Sequence, residues 1–422
     1  MLRARRGIAE AMTASGTVDY FARSVRERLF VPRSDEQRRV GAEIEMLPLL
    51  DGSGLPSPLE AREGEPRNTL SFIRAHGGAL NWIERRSAKG APYFELPNGS
   101  TLTFEPGGQL ELCTPPSASV STLVREARAT VVGLRAAAVD AGIQLASVGI
   151  DPQNEIGAVP LQLNSPRYER MTRYFDSIGP SGVRMMRQTA ATQVSLDPGR
   201  NPAARWRLLA DMTPYLTAIF ANSPRYAGTD SGYLSFRARC WRLLDPSRTG
   251  VPHPELPACE AYTRFALDAG DMTRTAEDGA YRSFGEWAAD GQWTGSGWED
   301  HLTTLFPEVR PRGYLEVRSI DALGPEIVGA PLVLLAGLIY SEGAAAAARR
   351  ILPFADEDML NRAARCGLRD PEIADVASQL VALGVRGARV LSPHIIDGEE
   401  LERAEQFFTD WTLRGRSPAD DR

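Results

Sequence analysis

The chain has 422 residues, 43% of them hydrophobic and 24% charged, with a formal net charge of -6 and a pI near 5.5. That is enough apolar material for a sizeable core, and the acidic balance argues against nonspecific nucleic-acid binding, whose affinity comes from basic patches. Lys89 is the only lysine, so a Walker A phosphate loop is excluded, and the setting Arg86-Ser87-Ala88-Lys89-Gly90 reads as a loop with a solvated charge.

In chain order, the stretch up to Phe30 is Arg-rich but broken by Glu10, Asp19 and Glu27, and it lacks the apolar segment of a secretory peptide. Val40 to Met46 predicts a strand with Glu43 and Glu45 on one face, because side chains alternate with period two. Thr103 to Glu111 sets Glu105, Gln109 and Glu111 around a Gly107-Gly108 bend. Residues 120–141 predict an amphipathic helix with Val120, Leu123, Val124, Ala127, Val131, Leu134 and Ala138 on one face. Ser117 or Ser119 is its expected cap and Gly142 its stop. Thr189 to Asp197 predicts a strand whose Gln193, Ser195 and Asp197 share a polar face. Asn201-Pro202 opens a helix carrying Trp206, Leu209 and Met212, with a kink expected at Pro214. Arg310 to Asp321 is expected as a strand with Arg312, Tyr314, Glu316 and Arg318 on one side.

Beyond it the pattern is helical, at about 324–350, 355–366, 371–384 and 398–413, with a frayed end from 414 to 422. Val328 to Tyr340 is the most apolar stretch, is too short to span a bilayer, and predicts a buried helix.

Carboxylates held close together raise one another's pKa unless a cation neutralises them, so such a cluster is either a proton-sharing dyad or a cation site. Four strand-like segments with charged working faces, one setting a glutamate between arginines, favour the cation. A metal-bound polyphosphate, its remaining charge held by guanidiniums, suits that pattern.

The motifs Gly-x-Glu-x-Glu at 41–45, Glu-Pro-Gly-Gly-Gln-x-Glu-Leu at 105–112, Thr-x-x-Thr-Gln-Val-x-Leu-Asp at 189–197 and Arg-Pro-Arg-Gly-Tyr-Leu-Glu-Val-Arg at 310–318 follow one another in that order. Between them lie Phe220 to Pro224, Ser231 to Arg237 and Asp245 to Gly250, and His301 to Pro307 follows. Together they resemble the glutamate-cysteine ligases of the plant and proteobacterial type, a group that includes γ-glutamylcysteine synthetases of actinobacterial ergothioneine pathways. The resemblance implies an α+β, glutamine-synthetase-like carboxylate-amine ligase fold with a mainly antiparallel sheet. It implies ATP- and Mg2+-dependent joining of the glutamate γ-carboxyl to the amine of cysteine. On this pattern Glu43, Glu45, Glu105, Glu111 and Glu316 fall to the metal sites. Arg237, Arg312 and Arg318 fall to catalysis, and Gln193 and Thr189, with Arg312 and Arg318, to the nucleotide or substrate. The chain departs from the family pattern at Ala190-Ala191 and Cys113-Thr114, changes that bear on the acceptor pocket. Two alternatives stay open: a ligase of this scaffold joining glutamate, or another carboxylate, to a different amine, and a catalytically silent binding relative.

The cysteines at 113, 240, 259 and 366 and the histidines at 76, 253, 301 and 394 show no ligand spacing. Reduced, structural cysteines are expected, and with them a cytoplasmic enzyme, monomeric or a small homo-oligomer, acting on small molecules with no nucleic-acid or membrane partner. A single catalytic unit over 1–422 is expected, with a sheet-bearing core at 35–322 and a helical region at 323–422 packed on it.

Overall fold

The computed structural model describes residues 16–421. The reading of the first 15 positions, Glu10 included, lies outside them. The elements before the last sheet strands are α1 (Gly16–Arg28), β1 (Val40–Leu50), α2 (Thr69–Ala79), β2 (Ile83–Arg86), β3 (Pro92–Glu95), β4 (Thr101–Phe104), β5 (Leu110–Cys113), α3 (Val120–Asp140), β6 (Ile143–Ala146), α4 (Pro166–Asp176), α5 (Pro180–Gln188), β7 (Thr192–Leu196), α6 (Pro202–Ile219), a short hairpin β8 (Arg225–Tyr226) and β9 (Thr229–Asp230), α7 (Phe236–Leu244), α8 (Pro246–Thr249), α9 (Ala258–Asp268), α10 (Phe284–Ala289) and α11 (Gly295–Leu302). They are followed by β10 (Val309–Pro311), β11 (Leu315–Val317), α12 (Gly329–Tyr340), α13 (Glu342–Ile351), α14 (Glu357–Cys366), α15 (Pro371–Leu391) and α16 (Gly398–Asp410).

The main sheet runs β10-β11-β7-β1-β5-β4-β3-β2, with β6 extending the far end of β1, and every pairing in it is antiparallel. On β1, Ala42, Ile44 and Met46 turn into the apolar core, so Gly41, Glu43 and Glu45 must face the other way. Helix α12 packs behind β1 and β7, and α15 packs on α12. That contact is close because it is built on glycine: a Cβ on Gly337 would sit 2.0 Å from the carbonyl oxygen of Gly384. One buried apolar cluster runs from Phe21 through the sheet to Phe408.

Helix α3 follows the expected face: Val120, Leu123, Val124, Ala127, Val131, Leu134 and Ala138 are all buried, Ser119 caps it, and Gly142 leaves it with φ 69°. Each larger apolar side chain buried in this way contributes roughly 1.5–3 kcal/mol. Helix α6 continues through Pro214. The carbonyl of Ala210, deprived of its usual amide partner by the proline, instead accepts the Thr213 hydroxyl at 2.8 Å.

Four expectations need correction. The Arg310–Asp321 segment is a hairpin, not one strand: β10 and β11 pair Arg310 with Glu316, and the chain reverses at Arg312–Tyr314, where Gly313 has φ 74°. The 324–350 helix is two helices meeting at 94°, because the first is apolar on every side and must be buried while the second is amphipathic. Helix α15 does not stop at Gly384 but runs to Leu391, since Gly384 and Gly387 are contact points rather than ends. The last residues are docked rather than frayed: the Ala419 amide bonds the carbonyl of Ala221, Asp420 accepts from Ser417 and Arg369, and Ser417 and Ala419 are buried. Among the described residues no single helix is long and apolar enough to cross a membrane.

Candidate active site

The face of β1 opposite the core looks onto a row of polar side chains set by strand register. Glu45 stands across from Glu111 on β5, Glu43 across from Gln193 on β7, Glu111 across from Thr103 on β4, and Glu316 of β11 across from Ser195. Glu105 joins them from the turn between β4 and β5. That turn is tight because its amide at 105 bonds the carbonyl of Gln109, Gly108 has φ 88°, and a Cβ on Gly107 would lie 2.1 Å from the Arg187 carbonyl oxygen.

Glu43, Glu45, Glu105, Glu111, Thr189, Gln193, Arg237, Arg312 and Arg318 all line one cavity of about 280 Å3. Two larger chambers adjoin it. One of about 730 Å3 shares Glu105, Glu111 and Tyr168 with it and has Tyr93 and Phe104 in its walls. The other, of about 360 Å3, shares Glu43 and is walled by Cys113, Asp197 and Tyr314. Glu316, the remaining expected site carboxylate, is fully buried behind the first cavity. Its oxygens are held by Arg310 at 2.7 Å, Arg318 at 2.8 Å and Arg312 at 3.4 Å.

The electrostatics split this cluster in two. Burial pushes the Glu316 carboxyl up, but Arg310 and then Arg318 outweigh it and bring it down to about 2. The other four glutamates move the opposite way. Burial, then Glu111 and Glu316, push Glu43 up to about 8. Burial, then the neighbouring glutamates, hold Glu105 well above the carboxylate range. Glu111 is raised by burial and then by Glu45, although the Thr103 hydroxyl at 2.5 Å and the Cys113 thiol at 3.3 Å donate to it. Glu45 is raised by burial against the pull of Arg237, with the Ala191 amide donating at 2.7 Å and the Gln193 amide at 2.9 Å.

No side-chain or backbone donor among the described residues bonds the carboxylates of Glu43 and Glu105. Oxygen donors that crowd together, and that the nearby guanidiniums do not bring back to the ordinary carboxylate range, fit a hard divalent ion. Among the described residues no three acidic, His or Cys side chains close on a ready-made metal cage.

The guanidiniums are fixed by their surroundings. Arg237, at the start of α7, donates to the Arg318 carbonyl at 2.8 Å and lies 3.8 Å from Asp321. Asp321 is itself held by the Ser223 and Ser235 hydroxyls and the Asn222 amide. The ring of Trp241 supports two cations, Arg237 at 4.8 Å and Arg318 at 5.5 Å from its centroid. Gln193 joins the two halves, donating to Glu45 and accepting from Arg318 at 2.9 Å. The Thr189 hydroxyl is used locally, on the Met185 carbonyl at 2.7 Å. Ala190 and Ala191 are both buried, Ala190 packed with Leu47, Val148 and Ala322 and Ala191 meeting Glu45 through its backbone.

Arg310, Trp241, Asp321 and Cys113 are the contributors that strand alternation did not single out. The Pro311-Arg312-Gly313 sequence signals the turn that brings Arg310 to Glu316, but Trp241 and Asp321 are joined to the site only by tertiary folding. His301, which sits in a family-like block, is a packing residue. It is buried against Phe284 at 4.7 Å, bonded to the Ala266 carbonyl at 2.7 Å, and pushed down to about 4 by burial and then by Arg248.

An antiparallel sheet presenting paired carboxylates and fixed arginines to adjoining cavities, backed by helices, has the architecture of the glutamine-synthetase-like carboxylate-amine ligases. A crystal structure of glutamate-cysteine ligase from Francisella tularensis in complex with AMP shares it, with a TM-score of 0.52 over 91% of this chain and 84% of that one, at 12% identity. The chain belongs to glutamate-cysteine ligase family 2, whose family model matches residues 39–421. It is 35% identical over 353 residues to glutamate-cysteine ligase EgtA of Mycolicibacterium smegmatis, covering 77% of this chain and 78% of that protein. It is 28% identical over 422 residues to the chloroplastic glutamate-cysteine ligase of Solanum lycopersicum, covering 90% and 74% respectively.

Proposed function

We propose that the chain ligates the γ-carboxyl of glutamate to the amine of cysteine, using ATP and releasing ADP and phosphate. The observation that carries this reading is the meeting, in one cavity, of four carboxylates with raised pKa and the guanidiniums of Arg237, Arg312 and Arg318. A carboxylate is a poor acyl donor, so its γ-oxygen first attacks the terminal phosphorus of ATP and ADP leaves. The amine then attacks the carbonyl carbon of the γ-glutamyl phosphate, phosphate departs, and the amine's proton passes to base.

Phosphoryl transfer depends mainly on positioning and on cations around the transferring oxygens. Glu43, Glu45, Glu105 and Glu111 are the residues that would hold Mg2+, and the ion would neutralise charge on the phosphates. Arg312 and Arg318 face the same cavity and supply fixed N–H donors for the phosphate oxygens. Arg310 lines the same cavity and also holds Glu316. Glu316, buried and paired with Arg310, Arg312 and Arg318, would hold these guanidiniums in place for the phosphate oxygens rather than face the ion itself. Arg237, oriented by Asp321 and Trp241 at the Glu45 end, grips a carboxylate of the substrate glutamate.

Formation of the acyl phosphate is testable without any amine. ATP labelled with 18O in the β,γ-bridge should scramble its label when glutamate is present and stay unscrambled when it is omitted. Scrambling that ignores glutamate would overturn the order of steps.

A further inference from the structure

Away from the reaction cavities, a cavity of about 330 Å3 opens between residues 35–38, the start of α6, and helices α12 and α13. Arg38, Arg200, Arg205 and Arg349 line it and outnumber its two carboxylates, Asp35 and the exposed Glu342. Asp35 is already engaged: it accepts the Arg200 amide at 3.1 Å and the Arg205 guanidinium at 3.2 Å, and lies 3.6 Å from the Arg200 side chain. Arg38 reaches only the backbone carbonyl of Asp35, at 3.3 Å, and Arg349 only that of Ala204, at 3.0 Å. Neither makes an ion pair or hydrogen bond to a carboxylate among the described residues, although Arg349 is close enough to Asp211 to act on its charge.

Two further features point the same way. Arg38 has φ 44°, a left-handed conformation uncommon outside glycine and found where surrounding structure imposes it, often at binding sites. The cavity wall is also fixed: Arg205 lies 5.6 Å from the centroid of the Tyr340 ring and donates to the Asp197 carbonyl at 2.8 Å. Guanidiniums offer forked N–H donors that match phosphate oxygens, and a cluster of them with surplus positive charge calls for an anion. At ~30 Å3 per water the space would hold on the order of ten waters, more than a bare phosphate displaces.

We infer that this cavity is a second anion site, distinct from the reaction cavities, that takes a phosphate group either free or at the end of a larger molecule. The Tyr340 hydroxyl ties its wall to the catalytic sheet, since it bonds both the Arg39 carbonyl and the Asp197 amide, and Arg39 and Asp197 line the third chamber.

Calorimetric titration tests the site in the full chain, with the reaction cavities filled by Mg2+, glutamate and a non-hydrolysable ATP analogue. Inorganic phosphate is the first probe and glycerol phosphate the second. One saturable equivalent is expected, at least about tenfold weaker in Arg38→Ala/Arg349→Ala, on the scale of losing a hydrogen bond to a charged group. The single variant Arg349→Glu, at an exposed position where folding is not at issue, should weaken it as well, with the unfolding midpoint and the ligase rate unchanged. Equal affinity for both probes identifies free phosphate as the ligand, and tighter binding of glycerol phosphate identifies a terminal phosphate group. Absence of saturable binding by either probe, or unchanged affinity in both variants, would overturn the proposal.

Discussion

Glu45 and Glu111 stand directly opposite each other across the β1–β5 ladder, and each carboxyl is held above its ordinary range. Like charges in this position weaken a sheet. The divalent ion proposed for the site would offset that repulsion.

The same reasoning extends to Glu105, which has no donor of its own among the described residues and faces three other glutamates. Glu105→Gln should lower ATP turnover by about 100- to 1000-fold, the scale of removing one transition-state electrostatic contact. Stability should stay within about 1 kcal/mol of the parent, because a repulsion is removed along with the charge. Steady-state rates and thermal melts check both, and retained activity would remove Glu105 from the metal set.

Arg237 should act on glutamate more than on the nucleotide. Arg237→Ala is expected to raise the glutamate KM by about 10- to 100-fold, the loss of a charged hydrogen bond, with a much smaller change for ATP. Arg237→Lys should recover part of it. Equal losses for the two substrates would mean that the bond to the Arg318 carbonyl, not substrate binding, is what the side chain provides.

Stability should depend on pH in a direction set by the raised carboxyls. A carboxyl whose folded pKa is raised keeps its proton after the unfolded chain has lost it, so the folded state binds more protons and stability falls as pH rises from about 4.3 toward the folded value. Glu43 carries that window up to about 8. Glu316 behaves oppositely, its contribution being present above about 4.3 and lost as pH falls toward 2. With a chelator present, the melting temperature should therefore drop between about pH 5.5 and pH 8, and the gain on adding Mg2+ and an ATP analogue should be larger at the higher pH. A gain equal at both pH values, or larger at the lower one, would contradict the metal assignment.

Glu316→Gln tests the arginine cluster from the other side. It leaves Arg310 and Arg318 without their buried counter-charge, a change expected to cost about 3–5 kcal/mol. Denaturant melts would measure it. A loss below about 1 kcal/mol would show that these guanidiniums are satisfied without Glu316.

Much of this site was legible because it lies on strands. Period-two alternation is local, so Glu43 with Glu45, and the polar face carrying Gln193, could be read from spacing alone. The buried face of α3 was legible for the same reason, with period 3.6. What alternation cannot show is a reversal of direction: Pro311-Arg312-Gly313 turns the chain, and Arg310 reaches Glu316 only through that turn. Nor does local pattern reveal Trp241 beneath two guanidiniums or Asp321 behind Arg237, since both are brought in by distant elements. The C-terminal end misled because its composition is charged, whereas its few buried contacts, Ala419 on Ala221 and Asp420 with Arg369, are enough to dock it.

Phosphate release from ATP with Mg2+ and glutamate, measured across a panel of amines with the product weighed by mass spectrometry, tests the central claim most directly. The proposed function predicts release that depends on both glutamate and cysteine, with γ-glutamylcysteine as the product. Release supported by another amine but not by cysteine would contradict the acceptor, and no release with any amine would contradict the ligase itself.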